Sequence, residues 1–193
     1  MGRAVSEAVR CQILDAVVEP FAAHGFDGAS TRALASAAGV NISTLAYHFR
    51  DKQGLYDATI HRIYMRIATL DLTPPPGTRE QQVRTLTHRA YAFARAHRSE
   101  IRILVHHLVT THHLPPAVRQ RWLGPLVTKA QALTEALGLP ARDYRMPLLS
   151  LQHLVVRYAI SEPNDLALMT DAPDPHAAVA EHLADVAVRL LLQ

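Results

Sequence analysis

Apolar residues recur at helical spacing near the start of the chain, and a glycine ends the pattern. The helical face is formed by residues spaced three or four apart: Ile13, Leu14, Val17, Val18 and Phe21. They predict a helix over 3–24 that ends at Gly25. Pro20 lies inside it and removes one backbone hydrogen bond, so we expect a kink within 16–20.

Two short helices separated by a tight turn are predicted next. Ser30 is a candidate N-cap, because its hydroxyl can accept a backbone N–H from the first turn of the helix that follows. Gly39 comes directly after the last periodic residue, where a left-handed backbone is needed. A second helix is predicted from Ile42 to Phe49. This order of elements is typical of a helix-turn-helix motif.

The second helix of this motif has two different faces at about 100° per residue. One face is predicted to be core and consists of Ile42, Leu45 and Phe49, with Ala46 beside them. The opposite face carries small polar and aromatic side chains, namely Ser43, Thr44, Tyr47 and His48. Such side chains reach phosphates and base edges when a helix lies in a DNA major groove. The pattern therefore predicts a DNA-reading helix.

Charge alone does not predict DNA binding. The whole chain carries a net charge of +3, and residues 1–66 hold seven Lys or Arg against six Asp or Glu. Affinity for phosphates must then come from the placement of a few groups. We predict that Arg32 and Lys52, which flank the two short helices, contact phosphates, and that Ser30 contributes at a helix N-terminus.

A longer helix and a proline-rich boundary follow the motif. Asp51 is a candidate N-cap for a helix that continues to about Leu70. The prolines at 74–76 cannot continue a helix and mark a domain boundary. Beyond them, the patterning predicts further helices at about 79–97, 100–111, 116–137, 142–161 and 175–192. No strand alternation occurs, so the predicted fold is all-α.

The N-terminal segments resemble TetR/AcrR-type transcriptional regulators. The resemblance is carried, in order and at the family's spacing, by ILDAVVEPFAAHGFDGAS, TRALASAAGV, TLAYHF and DKQGLY. The sequence departs from the family pattern at three positions. Ala33 replaces an acid that would complete a capping box, and Ile42 and Ala46 replace the common Lys and Tyr of the reading helix. The operator sequence therefore cannot be transferred from other members.

The resemblance implies a ligand-responsive regulator, usually a repressor, that binds a palindromic operator as a homodimer and is released by a small-molecule inducer. It implies a DNA-binding domain, a connecting helix that transmits ligand-induced shifts, a proline-rich turn, and a ligand-binding and dimerisation domain. We assign these to 1–50, 51–72, 73–78 and 79–193, respectively. The alternative is a helical ligand-binding or protein-interaction module with little specific DNA binding.

The helices at about 142–161 and 175–192 are the predicted dimer interface. The first is apolar on nearly all sides, as expected of a helix that is buried both in its own domain and against a partner. The last carries an apolar stripe made of Val179, Leu183, Val186 and Leu190. Two such helices from each of two chains would form a four-helix interface. Burial in a monomeric core is the other interpretation.

Large or polar side chains on the apolar helices are candidates for a ligand pocket. They are Tyr91, Phe93, His106, His107, Trp122, His153 and Tyr158. Pockets between bundle helices are mostly apolar with a few polar anchors, which favours a hydrophobic ligand. The segment 79–121 has eight arginines against two glutamates. It is either a solvated face, the wall of an anion pocket, or an additional DNA contact.

Other classes of function find little support in the sequence. It contains no glycine-rich phosphate loop, nucleophile elbow or HExxH motif, so we expect neither an enzyme nor a cofactor. His106, His107, His112 and His113 lack the i, i+3 or i+4 spacing of helical metal ligands, so no metal site is predicted. With no secretory signal and no long apolar run, a cytoplasmic protein that does not enter the membrane is expected.

Overall fold

The computed structural model describes residues 2–110 and 128–193, and within them every regular element is a helix. The predicted all-α class is confirmed. The chain divides into two compact units. The first runs from the N-terminus to Ile67 and includes the segment that begins at Ser99, whereas the second includes Ala68–Arg98 and the C-terminal part of the chain. The division predicted from the sequence places all residues after 78 in one domain, so it differs from the structure at the segment that begins at Ser99.

The first predicted helix is two helices with a break between them. Helix α1 spans Gly2–Ala16 and helix α2 spans Val18–Gly28. The expected kink is confirmed, and it lies at Val17. Pro20 is tolerated because it occupies the first turn of α2, where backbone N–H groups have no partner within the helix. Gly25, at φ +67°, interrupts α2 as predicted.

The helix-turn-helix prediction is confirmed in its local details. Helix α3 spans Thr31–Ala37, and the Ser30 side chain accepts the backbone N–H of Ala33 at 3.1 Å. Gly39 has φ +67°, the left-handed conformation that the turn requires. Helix α4 then spans Ile42–Phe49.

Helix α5 spans Lys52–Ala68, and ion pairs connect it to its neighbours in the first unit. Arg62 pairs with Asp15 of α1 at 2.5 Å, and Arg66 pairs with the same carboxylate at 3.6 Å. Arg66 also pairs with Glu100, a buried residue of helix α7, which spans Arg98–Thr110. These contacts are one reason why the segment from Ser99 groups with the N-terminal unit.

The second unit is built around helix α6, which spans Arg79–Ala96 and packs against two C-terminal helices. These are α8, Arg145–Ala159, and α10, Pro175–Leu192. Residues 128–136 are also helical, and the remainder of the helix predicted at 116–137 lies outside the described residues. Helix α9, Pro163–Thr170, is not among the helices predicted from the sequence. Its start is marked by a proline in the first turn, a signal that could have revealed it.

Candidate nucleic-acid interface

Helix α4 is anchored by two buried side chains, and four of its residues are exposed: Ile42, Ser43, Ala46 and Tyr47. Leu45 and Phe49 are buried in the first unit, as predicted. The predictions for Ile42 and Ala46 were wrong: Ile42 is 48% exposed and Ala46 is also exposed. The buried strip extends from Leu45 and Phe49 toward the half-buried Thr44 and His48, so Ile42 and Ala46 on the opposite side of the strip face solvent. Tyr47 is 80% exposed, consistent with its predicted outward orientation.

Asn41 organises the first turn of α4. Its Oδ1 accepts the backbone N–H of Thr44 at 2.7 Å, the Ser43 hydroxyl at 2.7 Å and the Thr44 hydroxyl at 2.8 Å. The backbone N–H can only donate, so the shared atom is the amide oxygen, and both hydroxyls must donate to it. This cap was not predicted from the sequence, although asparagine directly before a helix is a common capping signal.

The other predicted DNA contacts occupy different environments. Ser30 and Arg32 are exposed at the start of α3, and the Ser30 oxygen caps that helix. His48 is half-buried, and its ring lies 5.1 Å from that of Tyr47 in an edge-to-face arrangement. Side-chain donors and a helix N-terminus therefore occur on the same motif.

Lys52 has partners inside the first unit. Its Nζ donates to the carbonyl oxygens of Ala29 at 3.1 Å and Asp27 at 3.4 Å. The same ammonium lies 4.4 Å from the centre of the Phe26 ring. Because these contacts join the start of α5 to the end of α2, Lys52 has a structural role whether or not it also contacts a phosphate.

The start of α5 fixes the end of the reading helix. Asp51 accepts the backbone N–H of Gly54 at 2.8 Å, which confirms Asp51 as the cap. This hydrogen bond is the main cause of the lowered pKa of Asp51. A Cβ on Gly54 would lie 2.1 Å from the carbonyl oxygen of Phe49, so this close approach requires glycine. The short α4–α5 connection thus sets where α4 ends.

Comparison with known proteins identifies this motif. Residues 13–59, which run from α1 into α5, match the model of bacterial regulatory proteins of the tetR family. The chain thus contains an N-terminal region that matches the tetR family of regulators. This match supports a transcriptional regulator with a helix-turn-helix DNA-binding motif, and the matched family consists of regulators, which are not enzymes.

The similarity extends over most of the chain. The class D tetracycline repressor of Escherichia coli is 26% identical over 164 residues, which cover 85% of this chain and 71% of that protein. A transcriptional regulator from Streptomyces coelicolor has a similar fold, with a TM-score of 0.73, 21% identity, and coverage of 95% of this chain and 98% of that chain. A TetR-family regulator from Marinobacter aquaeolei gives a TM-score of 0.68 at 22% identity, covering 98% of both chains.

The predicted pocket residues fall into two groups. His106 and His107 belong to the first unit, where His106 is exposed and His107 is buried. The others that can be placed belong to the second unit: Tyr91, Phe93, His153 and Tyr158. Trp122 lies outside the described residues. The six predicted residues that can be placed therefore do not form a single cluster within one unit.

Among the candidates in the second unit, Tyr91 is the most deeply buried. It is buried among apolar residues of α8, α9 and α10, and its hydroxyl lies 3.0 Å from Nδ1 of His176. Burial raises the pKa of Tyr91 and lowers that of His176, so the neutral forms of both groups are favoured. By contrast, Phe93 is half-buried beside His97, and His153 is exposed on α8.

Several arginines of the basic segment are paired with acids of the second unit. Arg84 forms an ion pair with Asp185, with an N–O distance of 2.6 Å, and Arg98 forms one with Glu162 at 3.0 Å. These pairs favour the solvated, ion-paired interpretation for the arginines involved.

Over the described parts of the chain, no helix is long and apolar enough to cross a membrane. Nor do the described side chains include a group of three or more His, Cys, Asp or Glu suited to hold a metal ion.

Proposed function

We propose that this protein is a repressor that binds a palindromic operator as a homodimer and is released by a small-molecule inducer. The observation that carries the proposal is the exposed face of α4, where Tyr47 is 80% exposed on a helix that Leu45 and Phe49 anchor in the core. A reading helix must combine a fixed backbone with outward side chains. The tetracycline repressor among the relatives supports repression as the output.

The proposed dimer forms through α8 and α10. Two large apolar side chains of α8 face solvent in the single chain, Met146 at 66% and Leu149 at 40% exposure. An isologous contact between two copies would cover them and relate the two copies of α4 by a twofold axis. That symmetry matches two half-sites of a palindrome.

The proposed inducer site lies in the second unit near Tyr91. The buried Tyr91, bonded to the half-buried His176, provides a polar group beside apolar residues, which is the usual composition of a small-molecule site in a helical bundle. An inducer acts only if it prefers the state that does not bind DNA. A route for coupling is α5, whose C-terminal Ala68 carbonyl accepts a hydrogen bond from Lys129 at 2.9 Å.

Selection of DNA from a random library by the full chain tests this proposal. We expect enrichment of a palindrome, a mass of two chains in solution, and binding that weakens steeply as salt increases, because phosphate contacts release counterions. Tyr47→Ala should reduce specific binding, whereas Met65→Ala, on an exposed residue of α5, should not. A folded protein that enriches no sequence would contradict the proposal and favour the binding-module alternative.

A further inference from the structure

We infer that Ile42 determines operator specificity by contacting the methyl group of a thymine in each half-site. The inference rests on the proposed function and specifies which DNA base one residue of the reading helix recognises. Ile42 is the first residue of α4, and its side chain is 48% exposed although it is aliphatic. Residues near the N-terminus of a recognition helix contact base edges. In the major groove, the thymine C5-methyl is the apolar feature that an aliphatic side chain can recognise.

The hydrogen-bonding state of the neighbouring hydroxyls strengthens the assignment. Ser43 and Thr44 both donate their hydroxyl protons to Asn41 Oδ1, at 2.7 and 2.8 Å. While these bonds persist, each hydroxyl offers only acceptor lone pairs to a ligand. It cannot donate to guanine O6 or N7, but it can accept from the amino group of adenine or cytosine. The first turn of α4 thus has no hydroxyl proton available for guanine.

These two properties select the same base pair. A T·A pair presents both the thymine methyl and the adenine N6 amino group in the major groove, with the thymine O4 between them. Ile42 supplies the apolar surface, and the adjacent Ser43, which is exposed, supplies the acceptor. The structure assigns a T·A or A·T pair, with its methyl toward Ile42, to each half-site.

Replacing thymine by deoxyuridine tests this contact, because it removes only the methyl group. Each thymine of the selected operator is replaced in turn, symmetrically in both half-sites. At one position we expect affinity to fall about fourfold per half-site, the factor that corresponds to about 0.8 kcal/mol for one buried carbon group. Ile42→Ala should bind the thymine and deoxyuridine operators equally. Met65→Ala, on another exposed apolar residue, should keep the wild-type difference.

The outcomes separate this inference from the proposed function. If no operator is enriched, the proposed function fails. If an operator is enriched but deoxyuridine binds as well as thymine at every position, the function stands and this inference fails. If Ile42→Ala remains sensitive to deoxyuridine, another side chain contacts the methyl and the assignment to Ile42 is wrong. Ile42→Val, which removes one carbon, provides a second variant with a smaller expected loss of sensitivity.

Discussion

The ammonium of Lys52 lies 4.4 Å from the centre of the Phe26 ring while it donates a hydrogen bond to the Ala29 carbonyl at 3.1 Å. A cation over an aromatic face is attracted by the ring's quadrupole. The contact connects the first residue of α5 to the end of α2. A basic residue beside the reading helix therefore has partners within the protein.

Replacing Lys52 by Met should destabilise the protein in the absence of DNA. The variant keeps an unbranched apolar side chain but loses the cation–π contact and the hydrogen bonds, so we expect the free energy of unfolding to fall by about 1–2 kcal/mol. Urea denaturation measures this. Arg32→Ala is the matched control: Arg32 is exposed, so its stability should change by less than about 0.5 kcal/mol while DNA affinity decreases. Wild-type stability of Lys52→Met would contradict the structural role.

Two glycines near α4 should respond differently to alanine. Gly54→Ala places a Cβ 2.1 Å from the Phe49 carbonyl oxygen, so backbone must move, and we expect a loss of roughly 3–5 kcal/mol in the free energy of unfolding. Gly39→Ala meets no atom within 4 Å but must adopt φ +67°, which costs about 1 kcal/mol. Thermal denaturation of both variants tests whether Gly54→Ala loses more stability than Gly39→Ala. Equal losses would show that the α4–α5 junction tolerates a shift.

The comparison between these glycines shows what the sequence can predict. Gly39, Ser30 and Asp51 act through their own backbone or through a partner three residues away, so their roles follow from local rules. Gly54 matters because the chain turns back on the Phe49 carbonyl, and that approach depends on the geometry of the folded junction.

Contacts between residues that are far apart in the sequence, and the packing of whole helices, explain the other differences between the predictions and the structure. Glu100 is buried because Arg66, 34 positions earlier, pairs with it, and no local pattern connects the two residues. Ile42 was assigned to the core because its helical angle fits the apolar stripe. How wide a strip becomes buried depends on the surface against which α4 packs, so periodicity gives the direction of a side chain but not the extent of its burial.

His107 should make stability depend on pH. Its ring is buried 5.6 Å from that of Tyr56, and burial lowers its pKa, with the charge of Asp57 opposing the shift. The unfolded chain therefore binds a proton at higher pH than the folded chain. Stability from this group is complete above the unfolded pKa of about 6.5 and is lost as the pH falls from there toward the folded pKa.

The free energy of unfolding, measured between pH 7.5 and 5.0, tests whether stability falls with pH as predicted. His107→Phe, which has an aromatic ring of similar size and cannot be protonated, should lose less stability on acidification than the wild type. His176, whose pKa is also lowered by burial, should account for part of the remaining slope. The exposed His153 provides the control, since His153→Gln should show the wild-type slope. A steeper slope in His107→Phe would reverse the assignment.

Asn41 should separate the stability of the reading helix from its affinity for DNA. Asn41→Ala removes the acceptor for the Thr44 N–H and for both hydroxyls, and we expect a loss of about 1 kcal/mol in stability as well as weaker operator binding. Asn41→Asp keeps a side-chain oxygen at the cap and adds a negative charge that the helix dipole favours, so stability should be kept or raised by about 0.5 kcal/mol. The same charge would face phosphates at the helix start and reduce affinity, most strongly at low salt, where screening is weakest. Denaturation and binding titrations at two salt concentrations therefore distinguish the variants, and an Asp variant that binds DNA as tightly as the wild type would show that the N-terminus of α4 does not approach the DNA backbone.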